Sequence, residues 1–205
     1  MKPTAEIHPT FPITAVILAG GDGRRIGGLD KGLLNLAGKP IIKHILEAIT
    51  PQCDSVIINA NRNTKNYQQY SYPVISDQIE KSQGPLAGFL MALNYSTHPY
   101  VITLPCDAPS IPSDFTQRMY QALMTSNSDI AVAHDGENLQ PMHALIKCSL
   151  ADNLQKFMQT GERKTRHWFD LNKTVIVNFS DCPDAFVNIN TAEQLELLKQ
   201  KLEKA

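Results

Sequence analysis

The chain has 205 residues, of which 42% are hydrophobic and 19% charged, and its formal net charge at pH 7 is −1. This length suits one domain with a sizeable core, and the composition is ordinary for a soluble protein. Because a charge near zero gives no basic field to collect a polyanion, we expect no nucleic acid or membrane partner and instead a small ligand that is bound locally.

The amino-terminal segment and the cysteines bound the class of protein further. The first twelve residues carry three prolines and no apolar core. We therefore interpret residues 1–12 as a flexible tail rather than a signal peptide or membrane span, and residues 13–205 as a single domain. No Cys-x-x-Cys pair is present, which disfavours a zinc ribbon or a thioredoxin-like site and favours reduced thiols in a cytoplasmic protein. The cysteines are Cys53, Cys106, Cys148 and Cys182.

Strands and helices are predicted to alternate along the chain. The apolar run Ile13–Leu18 is rich in β-branched residues, which is typical of a buried parallel strand. Further strands are predicted over residues 55–59, 73–76, 99–104, 129–133 and 143–147, and the direction of the last one, a returning strand, is left open. Helices are predicted over residues 40–49, 63–70, 84–95, 112–124, 151–159 and 191–202. This alternation implies a three-layer αβα fold of the α/β class, with a mostly parallel central sheet flanked by helices.

A glycine-rich, basic stretch over residues 18–32 directly follows the first strand. Five glycines fall within residues 20–28, where the backbone can turn sharply and bring its N–H groups close to an anion. Arg24, Arg25 and Lys31 add positive charge to the same loop. Because open α/β sheets bind ligands at the carboxyl ends of their strands, we interpret this stretch as a phosphate-binding loop, with a flexible surface loop as the alternative.

Two familiar kinds of phosphate loop do not fit this stretch. A Walker loop needs Gly-Lys followed by Ser or Thr, whereas Gly38 and Lys39 are followed by Pro40. A dinucleotide fingerprint would place a glycine where Ile26 stands, and the next strand ends in Asn59 rather than in the carboxylate that NAD enzymes use. Hydride transfer is therefore disfavoured.

The same stretch resembles the signature Leu-Ala-Gly-Gly…Arg-Met-Gly-Gly-x-Asp-Lys of the molybdenum cofactor guanylyltransferases, within the wider nucleotidyltransferase superfamily. Ile26 stands at the usual Met position, and the doubled Gly27 and Gly28 before Asp30 and Lys31 is similar to the guanylyl branch. The resemblance extends over residues 13–198. It implies a Rossmann-like nucleotidyltransferase fold, GTP and molybdopterin, the organic part of the molybdenum cofactor, as partners, and Mg²⁺ as cofactor. It leaves open whether proteins that deliver the cofactor to molybdoenzymes are partners too.

Nucleotidyl transfer needs positively charged protein groups beside the triphosphate, and it needs a divalent metal. Lys31, as a point charge, and Arg25, as a planar donor, are predicted to bind phosphate oxygens catalytically. Asp107 lies just past the carboxyl end of a predicted strand, at the edge toward which the glycine loop points, and its carboxylate suits Mg²⁺. A turn-forming role before Pro109 is the alternative, and the resemblance, in which this aspartate holds magnesium, favours the metal.

Two further polar residues, Asn59 and Asp77, end predicted strands at the same edge. An Asn amide suits a base or ribose edge, and an Asp can accept from guanine N1 and N2 or from ribose hydroxyls, although both residue types end strands in many proteins. The resemblance implies that both contact GTP. It assigns further nucleotide contacts to Leu18, Ala19, Gly20, Gly21 and Gly84, besides Lys31 and Asp107.

Polar residues later in the chain match family positions on the acceptor side. Arg163, in a basic cluster with Lys164 and Arg166, is predicted to receive the phosphate of the acceptor, with a basic surface cluster as the alternative. Asn188 and Asn190 are predicted to alternate along a short strand and so to project to one face.

The alternative for the two asparagines is a turn before a helix capped by Thr191. The two histidines His134 and His143 lack the spacing of a metal site, and we interpret His143 as structural.

Together these observations predict transfer of GMP from GTP to the terminal phosphate of molybdopterin, with release of pyrophosphate. The acceptor phosphate is already ionised near pH 7, so no strong general base is required. The alternatives are a cytidylyltransferase for molybdopterin, another sugar or phosphate nucleotidyltransferase, and a non-catalytic GTP-binding carrier of the cofactor.

Overall fold

The computed structural model describes residues 12–20, 30–77 and 84–202. Within these residues a seven-stranded sheet has the order β5-β4-β1-β6-β8-β7-β9, and β2 and β3 form a separate hairpin. The strands are β1 Ile13–Leu18, β2 Asn35–Leu36, β3 Lys39–Pro40, β4 Ser55–Asn59, β5 Val74–Ile75, β6 Tyr100–Pro105, β7 Ile130–His134, β8 Leu139–Lys147 and β9 Thr174–Asn178. In the large sheet every pairing is parallel except those of β8, which is antiparallel to both β6 and β7.

Helices cover both faces of this sheet. They are α1 Ile41–Ile49, α2 Thr64–Gln68, α3 Pro85–Tyr95, α4 Phe115–Thr125, α5 Ala151–Gln159, α6 Thr165–Asp170 and α7 Ala192–Leu202. Apolar residues of α1, α4 and α7 pack in one core, and those of α3, α5 and α6 pack in the other. The result is the predicted three-layer αβα architecture with a mostly parallel sheet.

The central strand β1 shows why its sequence is a continuous apolar run. Ile13, Ala15 and Ile17 are buried in the core beneath α1, whereas Val16 is buried in the core beneath α3. A strand covered on both faces must be apolar at successive positions, because its side chains alternate between the two faces. Its parallel neighbours on either side are β4 and β6, which places β1 in the interior of the sheet.

Most predicted elements are present, with shifted ends. The predicted helix over residues 112–124 begins only at Phe115, and the returning strand is antiparallel and begins at Leu139, four residues earlier than predicted. The prediction of a short strand that carries Asn188 and Asn190 is wrong, because these residues lie in a loop outside the sheet. The N–H of Ile189 bonds the carbonyl of Asp107, at 2.8 Å, in place of a strand ladder.

Four of the described strands and α-helices have no counterpart in the sequence prediction, namely β2, β3, α6 and β9. Helix α6 has only six residues, and β9 is an edge strand in which Ile176 is 61% exposed. An edge strand buries one face more than the other and therefore carries a weaker apolar pattern than β1. Of the predicted tail over residues 1–12, only residue 12 lies within the described residues, so the tail and the single domain over residues 13–205 stay predictions.

All four cysteines are free thiols. Of the helices in the part of the chain that the structure describes, none has the length and apolar character needed to cross a membrane.

His143 on β8 is a buried histidine without a polar partner. Its side chain is 2% exposed, and neither ring nitrogen has a hydrogen-bond partner among the described residues. The ring lies edge-on to Phe186 and Phe115, with centroid distances of 4.9 and 6.0 Å. Burial lowers the pKa of His143 to about 3, because the imidazolium would lose its water. A structural role, as interpreted from the sequence, agrees with this environment.

Acid should therefore destabilise the fold through His143. Between its ordinary pKa and about 3, the unfolded chain binds a proton at this residue and the folded chain does not, so stability falls as pH falls. From about pH 7 to about pH 5 this residue should cost about 2 kcal/mol of unfolding free energy. In His143→Leu that loss should vanish, and stability at neutral pH should rise by about 1 kcal/mol because no buried donor is left unpaired.

Urea unfolding of both proteins at the two pH values measures these changes. His44→Leu is the control, since its ring bonds the Leu36 carbonyl at 2.8 Å and its loss should lower stability. An equal acid response in wild type and His143→Leu would contradict the prediction.

Candidate active site

Three of the polar residues predicted for the site, Asn59, Asp77 and Asp107, lie at one edge of the sheet, where parallel strands end. Leu18, the last residue of β1, pairs with Asn59 of β4 on one side and with Pro105 of β6 on the other. Asn59 pairs in turn with Ile75 of β5, and Asp77 follows two residues later. Because these strands are parallel, the segment after β1 leaves the sheet between the segments that follow β4 and β6.

Lys31 contacts two of the other predicted site residues. Its ammonium donates to Asp107 Oδ2 at 2.8 Å and to Asn190 Oδ1 at 2.5 Å. The side chains of Lys31 and Asp107 are each 18% exposed, so this ion pair is largely removed from bulk water. Residues separated by 76 and 159 positions in sequence therefore meet at one nitrogen atom.

The surroundings of Asp107 suit a hard divalent cation. Oδ2 accepts from Lys31, and among the described residues Oδ1 accepts no hydrogen bond. Burial raises the pKa of the adjacent Cys106 thiol to about 12, so this thiol stays neutral at physiological pH. Within residues 12–20, 30–77 and 84–202 no three His, Cys, Asp or Glu side chains cluster for metal binding. A single carboxylate fits Mg²⁺, which takes its remaining ligands from phosphate and water.

Two asparagines hold Asp77. Its carboxylate accepts from Asn59 Nδ2 at 3.0 Å and from Asn61 Nδ2 at 2.7 Å, and its own N–H donates to Asn61 Oδ1 at 2.8 Å. Asn61 is not among the site residues predicted from the sequence. The sequence feature that could have indicated it is a second asparagine two residues after Asn59, just past the end of the strand.

Two glycines allow the backbone to approach these amides closely. A Cβ on Gly20 would lie 2.9 Å from Asn61 Nδ2, and one on Gly88 would lie 2.9 Å from Asn59 Oδ1 and 2.7 Å from Leu18 Cδ2. Distances below 3.0 Å would force a shift of the side chains that hold Asp77. Gly88 therefore lets α3 pack against the end of β4.

Some backbone groups at the end of β1 are already hydrogen-bonded to neighbouring segments. The Leu18 carbonyl accepts from the Cys106 N–H at 3.2 Å, and the Ala19 N–H donates to the Asn59 carbonyl at 2.7 Å. Gly20 follows these bonded groups. Gly21 and Arg25, both predicted to contact the nucleotide, lie outside the described residues.

Gly84 and Arg163 lie near each other, and Lys31 contacts neither of them in the structure. Gly84 precedes α3 with a φ of 71°, a left-handed backbone that favours glycine, and a Cβ there would lie 3.9 Å from the Arg163 carbonyl oxygen. Nη1 of Arg163 donates to the carbonyls of Met158 and Glu162 at 2.6 and 2.7 Å. Arg163 thus caps the carboxyl end of α5, and its role toward the acceptor stays a prediction.

The loop that carries the two asparagines joins Asp107 to helix α7. The N–H groups of Asn190 and Thr191 donate to Gln194 Oε1, and Thr191 Oγ1 accepts from the Gln194 N–H, which forms a capping box. The helix cap at Thr191 is therefore present, while the Asn190 side chain still contacts Lys31. Asn188 is half-buried in the same loop.

A mostly parallel sheet with a Lys31–Asp107 pair and a held Asp77 carboxylate at its carboxyl edge is the arrangement that the sequence predicts for an α/β nucleotidyltransferase. The model of the MobA-like NTP transferase domain matches residues 15–176. The chain belongs to this family.

Named relatives agree with this assignment. The molybdenum cofactor guanylyltransferase of Shewanella piezotolerans is 44% identical over 193 residues, which cover 94% of this chain and 95% of that protein. The protein of the same name from Shewanella putrefaciens is 46% identical over 182 residues, which cover 89% and 93% of the two chains. The chain thus spans nearly the whole of these relatives.

Solved structures share the fold. The molybdopterin-guanine dinucleotide biosynthesis protein A from Archaeoglobus fulgidus superposes with a TM-score of 0.78 at 23% identity, over 94% of this chain and 100% of that one. A CMP:2-keto-3-deoxy-manno-octonic acid synthetase complexed with CTP superposes with a TM-score of 0.70 at 16% identity, over 94% and 99%. At these identities the comparison supports the fold alone.

Proposed function

We propose that this chain transfers GMP from GTP to the terminal phosphate of molybdopterin, releasing pyrophosphate and forming the guanine dinucleotide form of the cofactor. The names of the relatives at 44–46% identity support this choice of substrates. The observation that carries it is the contact of Lys31 with Asp107 at the carboxyl ends of β1 and β6. A cation next to a carboxylate at this edge suits a triphosphate that is bound with a metal.

In the proposed reaction an oxygen of the acceptor phosphate attacks the α-phosphorus of GTP in line. A new phosphoanhydride bond forms while the bond from the α-phosphorus to the bridging oxygen breaks, and that electron pair leaves with pyrophosphate. Lys31 stabilises the negative charge that grows on the leaving group, and Arg25 is proposed to share this role. Asp107 would hold Mg²⁺, which supplies further charge neutralisation when bound.

The contacts of Lys31 support a position between the two proposed substrates. Asp107 is on the proposed nucleotide side, and Asn190 is on the proposed acceptor side. Asn190 is proposed to bind the acceptor with Asn188 and Arg163. Because one ammonium contacts both sides, it is well placed to act where the transferred phosphoryl group passes between them.

The proposed guanine site is Asp77 together with Asn59. An ionised carboxylate has acceptor capacity for both guanine N1–H and N2–H, and the amides of Asn59 and Asn61 hold it in one orientation. Gly20 and Gly84 are proposed to bring backbone close to the nucleotide, together with Leu18, Ala19 and Gly21.

The function is tested by incubating the purified protein with labelled GTP, Mg²⁺ and molybdopterin. The expected result is pyrophosphate release together with a labelled dinucleotide product, neither of which forms without molybdopterin. Transfer from CTP in place of GTP would contradict the proposal, and GTP binding without turnover would indicate a carrier.

The role of Asp77 predicts a specific effect on base selection. Asp77→Asn retains the shape of the side chain but exchanges one acceptor oxygen for a donor, so it should raise KM for GTP about 10- to 100-fold. Wild type should also prefer GTP to ITP, which lacks the N2 amino group, and the variant should lose most of that preference. Steady-state kinetics with both nucleotides measure these effects.

Asp114→Asn is the matched control, since this exposed carboxylate lies before α4 and pairs weakly with Arg118 at 3.9 Å. It should leave the ratio of kcat/KM for GTP and ITP unchanged. An unchanged ratio in Asp77→Asn as well would remove Asp77 from the guanine site.

A further inference from the structure

Asp30, the residue before Lys31, is held by two side chains from another part of the fold. Tyr67 Oη donates to Asp30 Oδ1 at 2.5 Å, and Asn63 Nδ2 donates to Asp30 Oδ2 at 3.1 Å. The Tyr67 side chain is fully buried. Burial, and then the bond to Asp30, raise the pKa of Tyr67, so its hydroxyl remains a donor at any physiological pH. The carboxylate is thus anchored to α2 at both oxygens.

The same tyrosine also contacts the residue after Lys31. A Cβ on Gly32 would lie 2.6 Å from Tyr67 Oη and 3.4 Å from Cys106 Cβ. The hydroxyl therefore lies directly against the Gly32 backbone, and no larger residue fits there without displacing it. Tyr67 Oη lies between Asp30 and Gly32 and so restrains the backbone on both sides of Lys31.

Backbone bonds complete this restraint. The Leu33 N–H donates to the Asp30 carbonyl at 3.1 Å, and the Leu34 N–H donates to the Lys31 carbonyl at 3.2 Å, which forms a short 3₁₀ turn. Lys31 is the first residue of this turn. Its Cα is consequently set by Tyr67 and by the backbone bonds of the turn.

The side chain of Asn63 bonds Asp30 and does not cap its own helix. It occupies the N-cap position of α2 with a φ of 50°, in the left-handed region, and its side chain makes no capping bond to the helix. An Asn at an N-cap usually bonds the first turn of its own helix. Here the side chain bonds Asp30 instead, which lies 33 positions away in sequence. The left-handed backbone at the start of α2 therefore accompanies a long-range contact and not a helix cap.

We propose that Tyr67 and Asn63, acting through Asp30, are positioning residues for the catalytic Lys31. A lysine side chain has four rotatable bonds, so its ammonium meets Asp107 and Asn190 at a defined place only if its backbone is fixed. A displacement of about 1 Å in a catalytic group can cost about 100-fold in rate. This inference rests on the proposed function, because it takes Lys31 as a group that stabilises the transition state.

The test is Tyr67→Phe, which removes only the hydroxyl. We expect kcat for pyrophosphate release to fall about tenfold, with KM for GTP changed less than about twofold, because the lost positioning acts in the transition state. In a Lys31→Arg background, which keeps the charge but not the lysine geometry, Tyr67→Phe should cause no further loss. This non-additivity is a readout that a general loss of stability would not produce.

Tyr72→Phe is the matched control. It also removes one tyrosine hydroxyl, whose hydrogen bond runs to Thr50 Oγ1 at 3.1 Å rather than to Asp30, and it should leave kcat unchanged. Asn63→Gly is the second variant, because glycine keeps the left-handed backbone while the exposed Asn63 side chain loses its bond to Asp30. It should lower kcat in the same direction, by a smaller factor, and it remains testable if Tyr67→Phe does not fold.

The outcomes separate this inference from the proposed function. A tenfold loss in Tyr67→Phe that disappears in the Lys31→Arg background supports the positioning role. An equal loss in both backgrounds, or full activity in both Tyr67→Phe and Asn63→Gly, overturns it while the proposed function stands. A fully active Lys31→Arg shows that the lysine geometry is not required and overturns the positioning role alone. A wild-type protein that releases no pyrophosphate overturns the proposed chemistry and the positioning role with it.

Discussion

Lys31→Ala is expected to lower kcat for pyrophosphate release by about 10²- to 10³-fold, the usual loss for one preorganised group that stabilises transition-state charge. Lys31 contacts both Asp107 and Asn190, so the variant removes a cation that lies between the proposed nucleotide and acceptor. The affinity for GTP should weaken much less than kcat falls, because the charge on the leaving group grows only as the reaction proceeds. Single-turnover rates and equilibrium GTP binding, measured on the same preparation, separate the two effects.

The chain offers a matched control for this change. Lys147 makes an ion pair with Asp129 at the same 2.8 Å distance as that between Lys31 and Asp107. Asp129 directly precedes β7, so this pair lies at the amino edge of the parallel strands, opposite the candidate site. Lys147→Ala should therefore leave kcat unchanged. Loss of GTP affinity in Lys31→Ala without loss of kcat would instead indicate a protein that binds the nucleotide without turning it over.

Asp107→Asn is expected to lower kcat by about 10³-fold and to raise the Mg²⁺ concentration needed for half-maximal rate by about tenfold or more, because metal ions supply several kcal/mol of charge stabilisation. Asparagine has the same shape as aspartate and keeps an oxygen that can accept from Lys31, so the fold and the lysine contact should persist. The loss then reports the negative charge of the carboxylate. Rates measured over a Mg²⁺ titration, with and without a chelator, test this prediction.

Mn²⁺ binding in the presence of GTP supplies an independent measurement, and it should weaken in parallel with the rate. Asp129→Asn is the control, since it removes the carboxylate of the Lys147 pair at the opposite edge. An Asp107→Asn protein with unchanged metal dependence would show that this carboxylate acts by pairing with Lys31 and does not hold the metal.

The two positioning networks have the same construction at different places. Asp77 is held by Asn59 and Asn61, and Asp30 is held by Tyr67 and Asn63. In both, a carboxylate is fixed by side chains that lie at the end of β4 or in the segment that follows it. The segment after β4 therefore supports both the proposed base site and the backbone of Lys31.

The sequence by itself determined the class of fold and the edge at which the site lies. The apolar run of β1 predicts a strand buried on both faces, and helical spacing in segments such as Ile41–Ile49 predicts the covering layers. Once a parallel sheet is inferred, residues that follow its strands must collect at one edge, which brings Lys31 toward Asp107. These inferences depend on periodicity and chain direction, and both can be seen within short segments.

Only the tertiary structure decided which side chains hold one another. Tyr67 contacts Asp30 across 37 positions and Asn190 contacts Lys31 across 159, and no local spacing predicts either bond. Such contacts depend on the order of strands in the sheet, where β4 lies beside β1, and on the loop after β9 returning to Asp107. The weakly patterned α6 and β9 were missed for a related reason, since short or half-exposed elements are stabilised by neighbours in space rather than by their own sequence pattern.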